Sequence, residues 1–288
     1  MTILEAFILG IVQGVFMFVP VSSTAHLVIT QHLMISMGSS LPPPESPEMI
    51  LFDLIVHVGT LVSIAIVFWG SLKYLAICTF RDLAAYARAP GGWGAMGPVM
   101  RLMILGATTV FVTGGLGLLF KDRIETVFGA PQIVAITLAT TGALLWLTDR
   151  LGPRPVGLKS LGFKIAIIIG IAQAAALVPG ISRSGITIIA GLFAGLKRRW
   201  AAEYSFLIAI PTILAATVLQ GLREVEPAAV AALGYMPLLV GFVVSAVVGT
   251  IALRLVLVLL YRAQLKVFAI YLFVLSGFVA LGFLDGLL

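Results

Sequence analysis

Apolar residues along this chain fall in long unbroken runs. Ten such segments lie at about 3–19, 21–35, 51–70, 101–119, 131–147, 163–178, 185–196, 204–221, 237–260 and 267–285. Runs near 20 residues, without the period-two alternation of a lipid-facing barrel strand, predict membrane-crossing α-helices. Four of the ten are short and come in two pairs. A proline and hydroxyl-rich break divides each pair, "FVPVSSTAH" at 18–26 and "VPGISRSGI" at 178–186. Irregular backbone is tolerated at membrane depth only where protein or a water-filled cavity surrounds it, so each pair predicts a re-entrant helix-loop-helix element or a broken span.

The two breaks match in sequence. "ILGIVQGVFMFVPVSST" (8–24) and "IIGIAQAAALVPGISRS" (168–184) share Gly-Ile-x-Gln, then Val-Pro, then a hydroxyl-rich turn. Three further apolar spans follow each break. An odd number of crossings per half inverts the second half relative to the first. The expectation is one all-α polytopic membrane domain over 1–288, built from inverted-topology repeats at about 1–147 and 163–288, with six full transmembrane helices and two re-entrant pairs.

Composition supports the membrane assignment. Hydrophobic residues make up 60% of the 288 positions, charged residues 10%, and the mean hydropathy is +1.15. The lone Cys78 excludes an internal disulfide and is expected to pack between helices. The start, "MTILEAFILG", has no basic region of a secretory signal and carries Glu5, so it is expected to be mature structure. The net charge of +6 is spread over loops rather than clustered on a soluble face, which excludes nucleic acid as a partner. Lys73, Arg81, Arg88 and Arg101 are expected in one cytoplasmic loop, Arg150, Arg154, Lys159 and Lys164 in another, and Lys197–Arg199 and Arg262 with Lys266 in two more. Loop 36–50, with Glu45, Glu48 and four prolines, carries no basic residue. If 163–196 enters and leaves on one side, its basic flanks are both cytoplasmic and every later loop alternates correctly, which places loop 36–50 and the N-terminus outside.

Half-helices starting near Ser22 and Ser182 would present free backbone N–H groups and positive dipole ends to a shared anion site. Ser22 and Ser23 precede His26 by four and three residues, so on a helix the imidazole faces a hydroxyl, which suits an activated nucleophile or a general acid. Arg183, between Ser182 and Ser184, supplies a permanent charge in a fork that matches phosphate oxygens, and a charged side chain within an apolar segment is a functional candidate by default. Gly180 and Gly185 allow close backbone approach. Gln13 and Gln173, equivalent in the repeats, would bond the same site or each other. Taken singly, Ser22, Ser23 and Thr24 have a structural reading as helix-bonded hydroxyls, His57 and His32 default to packing, and Asp53 and Glu203 lie near span starts where they either snorkel or act.

These motifs resemble those of the undecaprenyl pyrophosphate phosphatases of the bacitracin-resistance type. "ILGIVQG" with "PVSSTAHL", then "FDLIVHVGTL", "PGISRSGITI" and "AAEYSFLIAIPTILAAT", occur in the family's order over almost the whole chain. The resemblance implies a hydrolase of the bacterial inner (plasma) membrane with a periplasm-facing site, removing the terminal phosphate of a C55 polyprenyl pyrophosphate carrier used in peptidoglycan synthesis and conferring bacitracin resistance. It implies catalytic roles for Ser23, His26 and Arg183 and a surrounding hydroxyl cluster of Ser22, Thr24, Ser182 and Ser184, with Gln13 at the first position of an E/Q-x-x-x-E motif. It also implies a divalent cation, Mg or Ca. Partners are then the polyprenyl pyrophosphate lipid and the membrane, with a homodimer left open. The chain departs from the pattern at Met17, where the family has a glutamate. Three explanations follow: Asp53 or Glu203 takes the role, the chemistry runs on Ser23, His26 and Arg183 alone, or the chain is an impaired homolog acting as a polyprenyl-phosphate transporter or flippase. A non-catalytic resistance or scaffold protein is a further rival.

Overall fold

The computed structural model describes residues 1–120, 131–178, 180–225 and 227–282, and among them it contains helices and no strands. The elements are α1 (Ile3–Phe16), α2 (Ser23–Ser36), α3 (Pro47–Val67), α4 (Trp69–Arg88), α5 (Pro98–Leu119), α6 (Pro131–Asp149), α7 (Phe163–Ala175), α8 (Arg183–Phe193), α9 (Arg198–Glu224), α10 (Pro227–Leu233), α11 (Tyr235–Tyr261) and α12 (Lys266–Ala280). Starts follow local chemistry. Thr2 and Glu5 form a reciprocal capping box on α1, and Ser46 accepts from the Met49 amide while proline opens α3.

Five helices, α3, α5, α6, α9 and α11, are long and apolar enough to cross a bilayer among the described residues. The sixth expected span is α12, which has 15 described helical residues, and the rest of segment 267–285 lies outside the described residues from 283 onward. The helices are inside-out by the standard of soluble proteins. Phe111, Leu222 and Ile251 expose 79%, 83% and 65% of their surface, while Gln13, Gln31, Thr109 and Ser245 are buried. This is the distribution of an all-α polytopic membrane protein.

Two helices were not expected, the short α10 between two spans and the longer α4. The stretch carrying Lys73, Arg81 and Arg88, anticipated as a loop, is the 20-residue helix α4. Its charges interrupt every apolar run, so a search for hydrophobic stretches passes over it, yet Tyr74, Ile77 and Phe80 form an exposed apolar stripe at helical spacing. Asp82 is its buried residue, and both Val99 and Met100 amides donate to the Asp82 carboxylate, at 3.0 and 3.2 Å. Asp82 thereby caps α5 across space, which Gly97 permits because a Cβ there would lie 2.0 Å from the carboxylate carbon.

Close backbone approach sets the helix pairing. α1 packs on α11, where a Cβ on Gly14 would lie 2.9 Å from the Gly249 nitrogen. α7 packs on α5, where a Cβ on Gly170 would lie 2.9 Å from the Thr109 carbonyl oxygen. Small residues at the crossing are the usual membrane solution, since without a hydrophobic drive between helices close van der Waals contact must hold them. α3 also packs on α11, and α12 packs on α6.

Candidate functional site

Both short pairs break where the sequence places the break. α1 ends at Phe16 and α2 starts at Ser23; α7 ends at Ala175 and α8 starts at Arg183. The breaks touch each other. The Ser184 hydroxyl is 3.4 Å from the Phe18 carbonyl oxygen to which it donates, and a Cβ on Gly185 would lie 3.0 Å from Pro20 Cβ. The heads of α2 and α8 therefore open from one junction, and the residues that start them are Ser23 and Arg183.

Arg183 carries the strongest electrostatic feature of this junction. Both terminal guanidinium nitrogens are buried and without a hydrogen-bond partner. A buried unpaired charge is costly, and a fork of free donors of this kind matches the oxygens of a phosphate or carboxylate. His57 of α3 lies within electrostatic range of it, and its Nδ1–H donates to the Asp53 carbonyl at 2.7 Å. At the second break, the Gly185 amide donates to the Ser182 hydroxyl at 3.2 Å, and the Ser182 and Ser184 hydroxyls are 3.3 Å apart. Thr187 one turn on bonds Ser205 of α9.

The first break has different partners. Gln13 is fully buried, and its amide nitrogen donates to the Met17 sulfur at 3.6 Å while its carbonyl oxygen has no partner. The Ser23 hydroxyl also points to that sulfur, at 3.9 Å. His26 is not bonded to a serine hydroxyl. Its Nδ1 is 2.7 Å from the Ser22 carbonyl oxygen, its Nε2 is 2.6 Å from the Tyr271 hydroxyl of α12, and its ring stacks on Phe16 at 3.9 Å between centroids. Ser22 is buried and Thr24 is exposed.

Several sequence expectations meet different surroundings. Gln13 and Gln173 do not bond each other: the Gln173 amide donates to the Thr113 and Thr212 hydroxyls at 3.1 and 3.0 Å. Asp53 accepts from Gln31 of α2 at 3.1 Å, which ties α3 to α2 more than a helical turn beyond His26. Glu203 pairs with Arg199 at 2.7 Å on its own helix and lines a cavity of about 560 Å³ with Tyr74, Lys159 and Trp200. Cys78 is a free, half-buried thiol. Sequence reasoning missed Tyr271, because no motif surrounds it and 245 residues separate it from His26. It likewise gave no warning that Thr113 and Thr212 would receive Gln173.

No three His, Cys, Asp or Glu side chains cluster for a metal ion among the described residues. At the junction the side chains present are a thioether, an amide, hydroxyls, an imidazole whose two nitrogens are already bonded, and a guanidinium. Hard divalent cations take oxygen ligands that include carboxylates, so this donor set does not fit Mg or Ca and no step is routed through one.

The chain is a helical polytopic membrane protein whose two broken helix pairs meet at an arginine with unpartnered terminal nitrogens. The profile of the family described as "Bacitracin resistance protein BacA" matches residues 6–278, and the chain belongs to that family. It is 53% identical over 280 residues to the undecaprenyl-diphosphatase of Alkalilimnicola ehrlichii, covering 97% of this chain and 96% of that one. The undecaprenyl-diphosphatase of Halorhodospira halophila is 51% identical over 97% of both chains. That of Salinibacter ruber is 39% identical over 96% of this chain and 98% of its own.

Proposed function

We propose that this protein is an undecaprenyl-diphosphate phosphatase, hydrolysing the terminal phosphate of a polyprenyl pyrophosphate at the junction of the two breaks. The observation that carries the reading is the buried, unpaired guanidinium of Arg183 in a chain whose relatives bear that activity as their name. Phosphoryl transfer needs positioning and charge stabilisation above all. Arg183 and the free amides at the heads of α2 and α8 hold the transferring phosphoryl; Ser23 attacks the terminal phosphorus, expelling the polyprenyl monophosphate and leaving a phosphoserine that water hydrolyses, or it positions the water that displaces the monophosphate directly, and His26 takes up the nucleophile's proton. Ser22, Thr24, Ser182, Ser184, Gln13 and Gln173 shape the surrounding polar shell. The lipid tail lies between helices. The halves form inverted repeats, a reading supported by the matched pairing of α1 with α11 and α7 with α5. Loop charge orients the protein in the bacterial inner membrane with the site toward the periplasm.

A second reading is favoured by Met17, whose sulfur occupies the Ser23 hydroxyl where a base would stand: transport of a polyprenyl phosphate without hydrolysis. Phosphate release from C15 or C55 isoprenyl pyrophosphate by purified protein separates the two. Release by the wild type that is lost in Ser23→Ala supports the phosphatase. Silence of the wild type, with release appearing in Met17→Glu, supports the transporter.

A further inference from the structure

The cavity that Glu203 lines shares no lining residue with the two breaks. It occupies about 560 Å³ between the heads of α4, α5 and α9 and the turn at 157–159, within the range of about 300–1,000 Å³ usual for a ligand site. Loop charge marks each of these elements as cytoplasmic, through Lys73, Arg101, Arg199 and Lys159. Walls and open side differ in chemistry. Leu75, Val99, Leu102 and Leu207 give the lining an apolar surface, whereas Tyr74, Lys159 and Arg199 on the same lining are exposed. The Glu203 carboxylate is engaged by Arg199 at 2.7 Å, and the Arg199 guanidinium also lies over the Trp200 ring, 5.0 Å from its centroid. The Lys159 ammonium has no hydrogen bond or ion pair among the described residues, so the lining keeps one uncompensated positive charge.

The backbone adds to that charge. The heads of α4 and α9 are not capped by a side chain, and they contribute Gly70, Ser71 and Trp200 to the lining, so the positive ends of two helix dipoles meet the same space. The head of α5 is already capped by Asp82. An apolar crevice with an unpaired cation on its open side fits an amphiphile with an anionic head. A free anion would leave the apolar walls unused, and water gains little from walls that offer it no hydrogen bonds. A zwitterionic head would bring an ammonium that finds no free carboxylate, since Glu203 is engaged. Tyr74 and Trp200 are of the kind that settles at headgroup level, apolar in body and polar at the tip, and the stripe of Tyr74, Ile77 and Phe80 seats α4 at the same level.

We propose that this cavity binds an anionic phospholipid of the cytoplasmic leaflet, with an acyl chain against the apolar walls and the phosphate at Lys159 and the heads of α4 and α9. The inference stands apart from the reaction at the breaks and does not need the protein to hydrolyse a pyrophosphate. Detergent-purified protein presented with equimolar phosphatidylglycerol and phosphatidylcholine, and weighed by native mass spectrometry, reports which lipid it retains. The wild type is expected to retain phosphatidylglycerol over phosphatidylcholine by about fivefold or more, the size of one basic residue's attraction to an anionic lipid surface. Lys159→Glu, a change at an exposed position, is expected to abolish that preference. Leu102→Trp, which fills the crevice without altering its charge, is expected to abolish the phosphatidylglycerol adduct. Arg150→Ala, which removes a basic side chain outside the lining, is expected to leave the preference unchanged within about twofold. A wild type that retains both lipids equally overturns the proposal, as does a preference that survives Lys159→Glu or a folded Leu102→Trp protein that still carries the adduct. An equal fall in Arg150→Ala overturns it too, by assigning the preference to diffuse surface charge. Displacement of the phosphatidylglycerol by millimolar inorganic phosphate would make this a site for a free anion, and displacement by an equimolar C15 isoprenyl monophosphate would make it a second site for the polyprenyl carrier; either overturns the assignment to a phospholipid.

Discussion

The two breaks share a sequence pattern and solve the backbone differently. At the second, Ser182 sits at φ −73°, ψ 120°, and its hydroxyl accepts from the Gly185 amide, the ordinary way to start a helix. At the first, Ser22 sits at φ 68°, ψ 89°, in the left-handed region, and makes no side-chain cap. A non-glycine residue there costs about 1 kcal/mol or more, held in place by the surrounding structure. The conventional break carries the arginine, and the strained break carries the hydroxyl and the imidazole. What the strain achieves is visible: the turned Ser22 backbone delivers its carbonyl to His26 Nδ1. In the proposed mechanism, binding charge needs only a well-formed helix head, whereas placing the imidazole needs a backbone bent to a particular place.

The matched glutamines diverge in the same way. The Gln173 amide is tied to two threonine hydroxyls, while that of Gln13 faces a soft sulfur; the carbonyl oxygen of each is buried and unpaired. Positions that match in sequence need not keep matching partners.

The largest expected effect tests the charge-binding break. Arg183→Ala should lower phosphate release by about 100-fold or more, since it removes the fork that stabilises the transferring phosphoryl, and should leave the thermal midpoint in detergent unchanged or raised because an unpaired buried charge is gone. A loss of folded protein in place of a loss of kcat would move Arg183 to the structural side of the comparison. Next comes Met17→Glu, which places a carboxylate between Gln13 and Ser23, where the thioether now accepts weakly from both. Phosphate release should rise by about tenfold as a strong acceptor meets the Ser23 proton, and a fall would show that the apolar sulfur is an adapted part of this break. The smallest effects are on stability and have opposite sign. Ser182→Ala should cost about 1 kcal/mol through loss of its cap, whereas Ser22→Gly should be neutral or stabilising by up to about 1 kcal/mol by relieving the left-handed turn, both read as shifts of the thermal midpoint.

Much of the fold was legible in the sequence because lipid imposes one rule on every span: satisfy the backbone internally and show apolar side chains outward. Run length gave α3, α5, α6, α9 and α11 their places, and the Pro/Ser interruptions located both breaks within two or three residues. α4 escaped because Lys73, Arg81, Asp82 and Arg88 interrupt its apolar residues, so no long hydrophobic run marks it. Within the site, Arg183 and the serines announced themselves by being polar amid apolar neighbours. Tyr271 and Thr212 did not, since a tyrosine or threonine in a membrane helix is ordinary until something comes to meet it.

By itself, then, the sequence determined the class of the protein, the positions of its helix breaks and the identity of the groups placed there, because hydropathy and backbone satisfaction are local properties. Only the tertiary structure decided which groups meet: that the breaks abut through Phe18 with Ser184 and Pro20 with Gly185, that Glu203 is spent on Arg199, and that His26 faces Tyr271 in place of Ser23. Contacts between residues more than a hundred positions apart depend on how helices pack and how deeply each enters the membrane, and no local pattern encodes that depth.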